Sequence, residues 1–209
     1  MNSATLRVRD AQAPSATALT LLLVRPGATV LDEQGRIKGD LDLPLSPAGQ
    51  QQVDSLVARL GDLPVDSIYC APCTCARETA AALAAQTAAR VRLDDDLRNL
   101  DHGLWQGKRF EELKQTQPRI YRLWAEHPEN VAPPFGETYA QAAARIEQFL
   151  GRILARGKRG LIAVVVAEPL ASMIRARLAR QPIENFWQAE RQTATWETIP
   201  VSPEPPSAK

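Results

Sequence analysis

A chain of 209 residues, 44% of them apolar and 23% charged, suits one domain with a sizeable core. Its net charge of +1 gives no footprint for nucleic acid or an anionic membrane, and no apolar run approaches the ~20 residues of a membrane span. Residues 1–17 are polar and Ala-rich without a signal-peptide core, so a reducing, cytoplasmic setting is expected.

The first apolar run, Leu21-Leu22-Leu23-Val24, stops abruptly at Arg25-Pro26-Gly27. A strand over 18–25, buried on both faces and opening at its carboxyl end onto a pocket, has this pattern. Arg25 would point into that pocket as a fixed cation. A Gly- and Asp-rich loop follows over 27–44. Ser46 as N-cap and Pro47 at the first helical position then open a helix. Val53, Leu56, Val57 and Leu60 form its apolar stripe, and Gly61 closes it.

Residues 65–70 read as a second strand, 74–89 as an Ala-rich helix and 91–93 as a third strand. An irregular loop over 94–107 carries Asn99, Asp101, His102 and Trp105. Pro118 splits two short helices, 108–117 and 119–127, and a loop covers 128–135. Trp105 and Trp124 read as packing aromatics, and His127 sits favourably at a helix end. A long amphipathic helix over 136–156 carries Ala140, Ala144, Ile146, Phe149, Leu150 and Ile153 on its apolar face, with Glu137 placed to satisfy N–H groups at its start. The apolar run 161–166 is another buried strand, ending at Ala167-Glu168-Pro169. Helices over 170–179 and 183–190 and an alternating edge strand over 193–201 complete the order. Residues 1–17 and 202–209 are expected to be flexible tails around a single domain at 18–201. Strands alternating with helices imply a three-layer α/β/α sandwich, its central sheet mostly parallel with one antiparallel edge strand.

Cys70, Cys73 and Cys75 are the only cysteines. They lack both the spread of a disulfide framework and the two separated pairs of a zinc ribbon. They read as small residues at a strand end and a helix start.

Five blocks of this sequence keep a recognisable order and spacing. They are Val24-Arg25-Pro26-Gly27-Ala28-Thr29, Arg36 to Gly49 with Asp42-Leu43-Pro44-Leu45-Ser46, the segment 70–80, Leu97 to Gly107, and Pro133 to Thr138. Together they resemble the histidine phosphatase superfamily, the phosphoglycerate mutase-like group, over residues 21–201. The resemblance implies a phosphoglycerate mutase-like fold. It also implies a nucleophilic histidine in the first block and a second histidine after the strand ending at 166. A second arginine belongs in the 70–80 block, and a glutamate proton donor two residues after Leu97. The matching positions hold Pro26, Glu168, Cys75 and Asn99, and Asp32 takes the place of a loop asparagine. Of this core only Arg25 remains, and neither histidine, His102 or His127, stands at a family nucleophile position. No catalytic residue is therefore assigned.

The ligand-pocket candidates are Arg25, Asp32, Arg36, Cys75, Asn99, His102 and Glu168. If Asp32 and Glu168 both line the pocket, they outnumber Arg25. A phosphate beside Glu168 would then meet like-charge repulsion of about 4 kcal/mol per unit pair at ~4 Å and an effective dielectric of ~20. Arg25 is expected to pair with Glu168, a pair that a zwitterionic ligand could displace. The expected function is a pseudophosphatase with a remodelled pocket, binding an unidentified small molecule or protein partner. One alternative is a repurposed enzyme. Its Cys75 thiol, activated by a helix start and Arg25, would work with His102 as base and Asn99 as orienter, or Asp32, Cys75, His102 and Glu168 would hold a metal. Another is residual phosphomonoesterase or mutase-like activity. The leading reading needs no metal or cofactor and no nucleic-acid or membrane partner, and the edge strand leaves a homodimer open.

Overall fold

The first apolar run forms strand β1, Leu19–Val24, and every residue in it is buried. A computed structural model describes residues 19–155, 159–180, 183, 185–189 and 191–201. The expected tails, 1–17 and 202–209, lie outside the described residues, as do Ala18, Arg156 and Glu190 at the ends of expected elements.

After β1 come α1 (Val30–Glu33), α2 (Pro47–Leu60), β2 (Val65–Cys70), α3 (Thr74–Thr87) and β3 (Arg90–Leu93). Next are α4 (Phe110–Thr116), α5 (Pro118–Glu126), α6 (Tyr139–Ala155) and β4 (Gly160–Val165). The order closes with α7 (Leu170–Ala179), α8 (Phe186–Ala189) and β5 (Trp196–Val201). The sheet order is β3-β2-β4-β1-β5. All pairings are parallel except β1 with β5, where Leu23 lies opposite Glu197. Helices cover both faces, which is the expected α/β/α sandwich. Two covered faces explain why β1 and β4 are continuous apolar runs rather than alternating ones. Leu21, Leu22 and Leu23 are fully excluded from solvent, which stabilises the fold by about 1.5–3 kcal/mol per side chain.

Several boundaries differ from those expected. Helix α1 lies inside the expected loop. Thr29 N–H donates to Asp32 Oδ2 at 2.7 Å, so a local cap nucleates one short turn that has no apolar periodicity to announce it. Helix α6 starts at Tyr139 rather than Gly136, because Thr138 and Gln141 cap it: Gln141 N–H donates to Thr138 Oγ1 at 3.2 Å, and Thr138 N–H to Gln141 Oε1 at 2.8 Å. Glu137 therefore does not serve the helix start. Its carboxylate accepts two 2.7 Å hydrogen bonds from Arg145 instead. β5 begins at Trp196, and Ala194 and Thr195 bond to the tip of β1 instead of extending the strand. No helix among the described residues is long and apolar enough to cross a membrane.

Candidate functional site

Parallel strands leave a crevice at their carboxyl ends, and here that crevice collects the ends of β1, β2 and β4. The tip of β1 is held from both sides. Val166 N–H donates to Val24 O at 3.0 Å, Arg25 N–H to Thr195 O at 2.8 Å, and Ala194 N–H to Pro26 O at 2.7 Å. These bonds fix the backbone and aim the Arg25 side chain.

Arg25 is 4% exposed and is met by two carboxylates. Its Nε donates to Glu168 Oε1, and a terminal nitrogen donates to Glu197 Oε1 at 2.9 Å. Burial opposes the guanidinium charge, but Glu168 and Glu197 outweigh it and raise its pKa above the ordinary value. Glu168 is also anchored at the start of α7: Ser172 N–H donates to Oε2 and Ser172 Oγ to Oε1, both at 3.0 Å. The expected Arg25–Glu168 pair is present, with Glu197 as a second acid.

Sequence reasoning missed Glu197, although a signal existed. Alternation along β5 places Glu197 with Ile199 and Val201, both buried. An acid on the inner face of an edge strand needs a cationic partner, and Arg25 is that partner.

Lys38 was missed as well. Ile37 N–H bonds to Lys108 O at 2.9 Å and Gly107 N–H to Ile37 O at 2.8 Å, so the segment is stitched down and Lys38 is only 9% exposed. Its Nζ donates to both Asp32 oxygens, at 2.9 and 3.1 Å. Burial lowers the Lys38 pKa, but Asp32 and the sulfurs of Cys75 and Cys73 outweigh it, leaving the pKa raised. Gly39, at φ +60°, completes the turn; a Cβ there would collide with Gln106 Oε1 at 2.0 Å. Three ion pairs, Arg25–Glu168, Arg25–Glu197 and Lys38–Asp32, thus stand near the strand tips.

A cleft of about 180 Å³ opens beside these pairs, with Lys38, Asp42, Cys73, Cys75, Asn99 and Ala167 in its walls; Arg25, Asp32, Glu168 and Glu197 are not among its lining residues. Asn99 is a clamp. Its Nδ2 donates at 2.8 Å to both Gly39 O and Glu168 O, tying two loops together. Arg145 holds the Asn99 loop from behind, donating to Asn99 O at 3.2 Å and Asp96 O at 2.8 Å.

Cys75 lies in the first turn of α3, as expected, but its neighbours oppose activation. Cys73 Sγ is 3.8 Å away, and this contact, together with burial, pushes the Cys75 thiol up. The Cys75 sulfhydryl, with the Ala76 N–H and Lys38, lowers Cys73 to about 7. The more acidic sulfur is therefore Cys73. Lys38, and not Arg25, is the cation that acts on this pair.

The other expected residues are not brought together. Arg36 donates to Gly107 O at 2.6 Å and lines a separate depression with Arg109 and Arg191. His102 is buried in an aromatic cluster, its ring centroid 6.4, 5.3 and 6.1 Å from those of Trp105, Trp124 and Trp187. It is not in the wall of the cleft that holds Cys75, so the Cys75–His102 dyad is not assembled. Among the described residues no group of three or more His, Cys, Asp or Glu could hold a metal ion, so the Asp32, Cys75, His102 and Glu168 set does not converge either. A larger cavity of about 330 Å³ between α6 and α7 is lined by none of the strand-tip residues.

This fold, with a cleft beside the carboxyl ends of β2 and β4, defines the class. The chain belongs to the histidine phosphatase superfamily, branch 1, whose family model matches residues 21–208. Phosphoserine phosphatase 1 of Hydrogenobacter thermophilus is 30% identical over 180 residues, covering 86% of this chain and 85% of its own. The structure of Bacillus stearothermophilus YhfR aligns with a TM-score of 0.77 and 25% identity over 88% of this chain and 92% of that one. A mycobacterial glucosyl-3-phosphoglycerate phosphatase in complex with VO3 aligns with a TM-score of 0.75 and 26% identity, over 86% and 91% of the two chains.

Proposed function

We propose that this chain is a pseudophosphatase, a histidine-phosphatase-fold protein that binds a ligand or partner at its remodelled pocket and does not transfer phosphoryl groups. The engagement of Arg25 by both Glu168 and Glu197 carries the reading. A phosphate dianion needs an uncommitted cation, and here it would have to displace two carboxylates and then lie beside them. The side chains agree with this. Pro26, at the family's nucleophile position, has no atom that can attack phosphorus, and Cys75 and Asn99 replace a second arginine and an acid. Two of the relatives named above bear the name phosphatase, so the proposal rests on these departures within a shared fold.

Hydrolysis of p-nitrophenyl phosphate by the full chain, compared with a protein-free blank, tests it. The chain is expected to give the background rate of the blank, and vanadate is expected not to bind in calorimetry. Steady turnover above the blank that scales with protein concentration would overturn the proposal.

A further inference from the structure

Cys73 and Cys75 share one wall of the Lys38 cleft, and the function proposed above uses neither sulfur. Their Sγ atoms stand 3.8 Å apart at the start of α3. Cys73 is half-buried and is the N-cap of the helix, with extended backbone (φ −67°, ψ 150°) outside the helical ladder. Cys75 is 1% exposed, and its N–H is fixed to Leu43 O at 2.9 Å. Cys73 is thus the more accessible of two sulfurs in one wall, and Cys75 is the nearly solvent-excluded one beside it.

We propose that Cys73 and Cys75 form a reversible disulfide driven by a hydroperoxide, with Cys73 as the attacking sulfur and Cys75 as the resolving one. The Cys73 thiolate displaces one oxygen of the peroxide. The S–O bond forms as the O–O bond breaks, and the departing alkoxide or hydroxide takes up a proton. The Cys75 sulfur then attacks Cys73 Sγ. The S–S bond forms, the S–O bond breaks, and the hydroxide leaves as water with the Cys75 proton. Two thiols lose two electrons and the peroxide gains them. Closing from 3.8 Å to a bond of about 2.0 Å requires movement at the N-cap residue, whose backbone lies outside the helical ladder.

The surroundings favour this order of attack. Cys75, the Ala76 N–H and the Lys38 ammonium stabilise a thiolate on Cys73, against its burial and the opposing charge of Asp42. Cys70 is the internal control. It is buried, its sulfhydryl donates to Ala71 O at 3.1 Å, and burial pushes its thiol up to about 12. Disulfide formation would remove the thiolate beside Lys38 and change the charge of the cleft without any change in fold.

The test is intact-mass spectrometry of the reduced full chain after a small excess of hydrogen peroxide, without reductant. The expected product is a monomer lighter by about 2 Da that dithiothreitol returns to the starting mass. Peptide mapping is expected to join Cys73 to Cys75 and leave Cys70 free. Cys73→Ser is expected to abolish the mass loss, and Cys75→Ser to accumulate a sulfenic acid on Cys73 that dimedone traps. In the wild-type chain, oxygen addition without mass loss, a link through Cys70, or an intermolecular dimer as the main product would overturn the proposal, whether or not the variants fold.

Discussion

Arg25 and Glu168 form an ion pair in which the arginine side chain is 5% exposed and the glutamate 1%. A pair this deep is costly to break from one side, because the abandoned charge stays in a site that excludes water. Glu168→Ala is expected to lower stability by about 3 kcal/mol, and the melting temperature by about 10 °C at this chain size. The double variant Arg25→Met/Glu168→Leu removes both charges and is expected to cost less than Glu168→Ala alone. Urea denaturation of the three proteins measures the order. Equal losses would mean that the pair acts through packing and not through charge.

Restoring a nucleophile is not sufficient. Pro26→His is expected to leave phosphomonoester hydrolysis at background, because Arg25 stays committed to Glu168 and Glu197. Single-turnover assays with acid-labile phosphoenzyme trapping would detect even a dead-end phosphohistidine. A trapped phosphoenzyme in Pro26→His would show that the two acids yield to a phosphate.

Thiol reactivity has a defined order and pH dependence. Cys73 is lowered to about 7, so its thiolate fraction rises as pH climbs through neutrality. Cys75 is pushed up and Cys70 is raised to about 12, so both remain protonated across that range. Limiting iodoacetamide is expected to label Cys73 first, with a rate that increases from pH 6 to pH 8. Lys38→Met is expected to move that profile to higher pH, since the ammonium favours the thiolate. Preferential labelling of Cys75 would reverse the assignment of the acidic sulfur.

Asn99 holds two loops at once. Asn99→Leu keeps the volume but leaves Gly39 O and Glu168 O without this donor. The expected cost is about 2 kcal/mol, as for other buried acceptors left unpaired. Hydrogen exchange is expected to rise first in the 36–43 segment, because the clamp ties that segment to Glu168. Uniform destabilisation with no local gain in exchange would assign Asn99 to general packing.

Much of the scaffold was legible because its signals are local. The β1 and β4 runs, the Ser46-Pro47 start of α2 and the five spaced blocks each depend on neighbours in sequence. The site was only partly legible, because its charges pair across long stretches of chain. Arg25 meets Glu168 and Glu197 at separations of 143 and 172 residues. Glu197 was detectable from its place beside Ile199 and Val201 in the β5 alternation, whereas Lys38 sits in a polar loop that reads as solvated. Its burial follows from bonds to residues 107 and 108, which no local pattern announces. His102 misled for the opposite reason: its position in the polar 94–107 loop beside Asn99 says nothing of three tryptophans arriving from α5, α8 and its own turn.

The placement of β1 between β4 and β5 also sets a schedule for synthesis. Both partners of this early strand lie late in the chain, starting at Gly160 and Trp196. At 5–20 residues per second the ribosome takes about 9–34 s to pass from Arg25 to the second of them. Until then the Leu21–Val24 run has an unpaired edge, and Arg25 lacks Glu197. A nascent chain stalled at residue 195 is therefore expected to remain open to a protease that cleaves after leucine in the Leu21–Leu23 run, while one stalled well past residue 201, with β5 outside the exit tunnel, resists it. The arginine that anchors the mature pocket is among the last parts of the molecule to be protected.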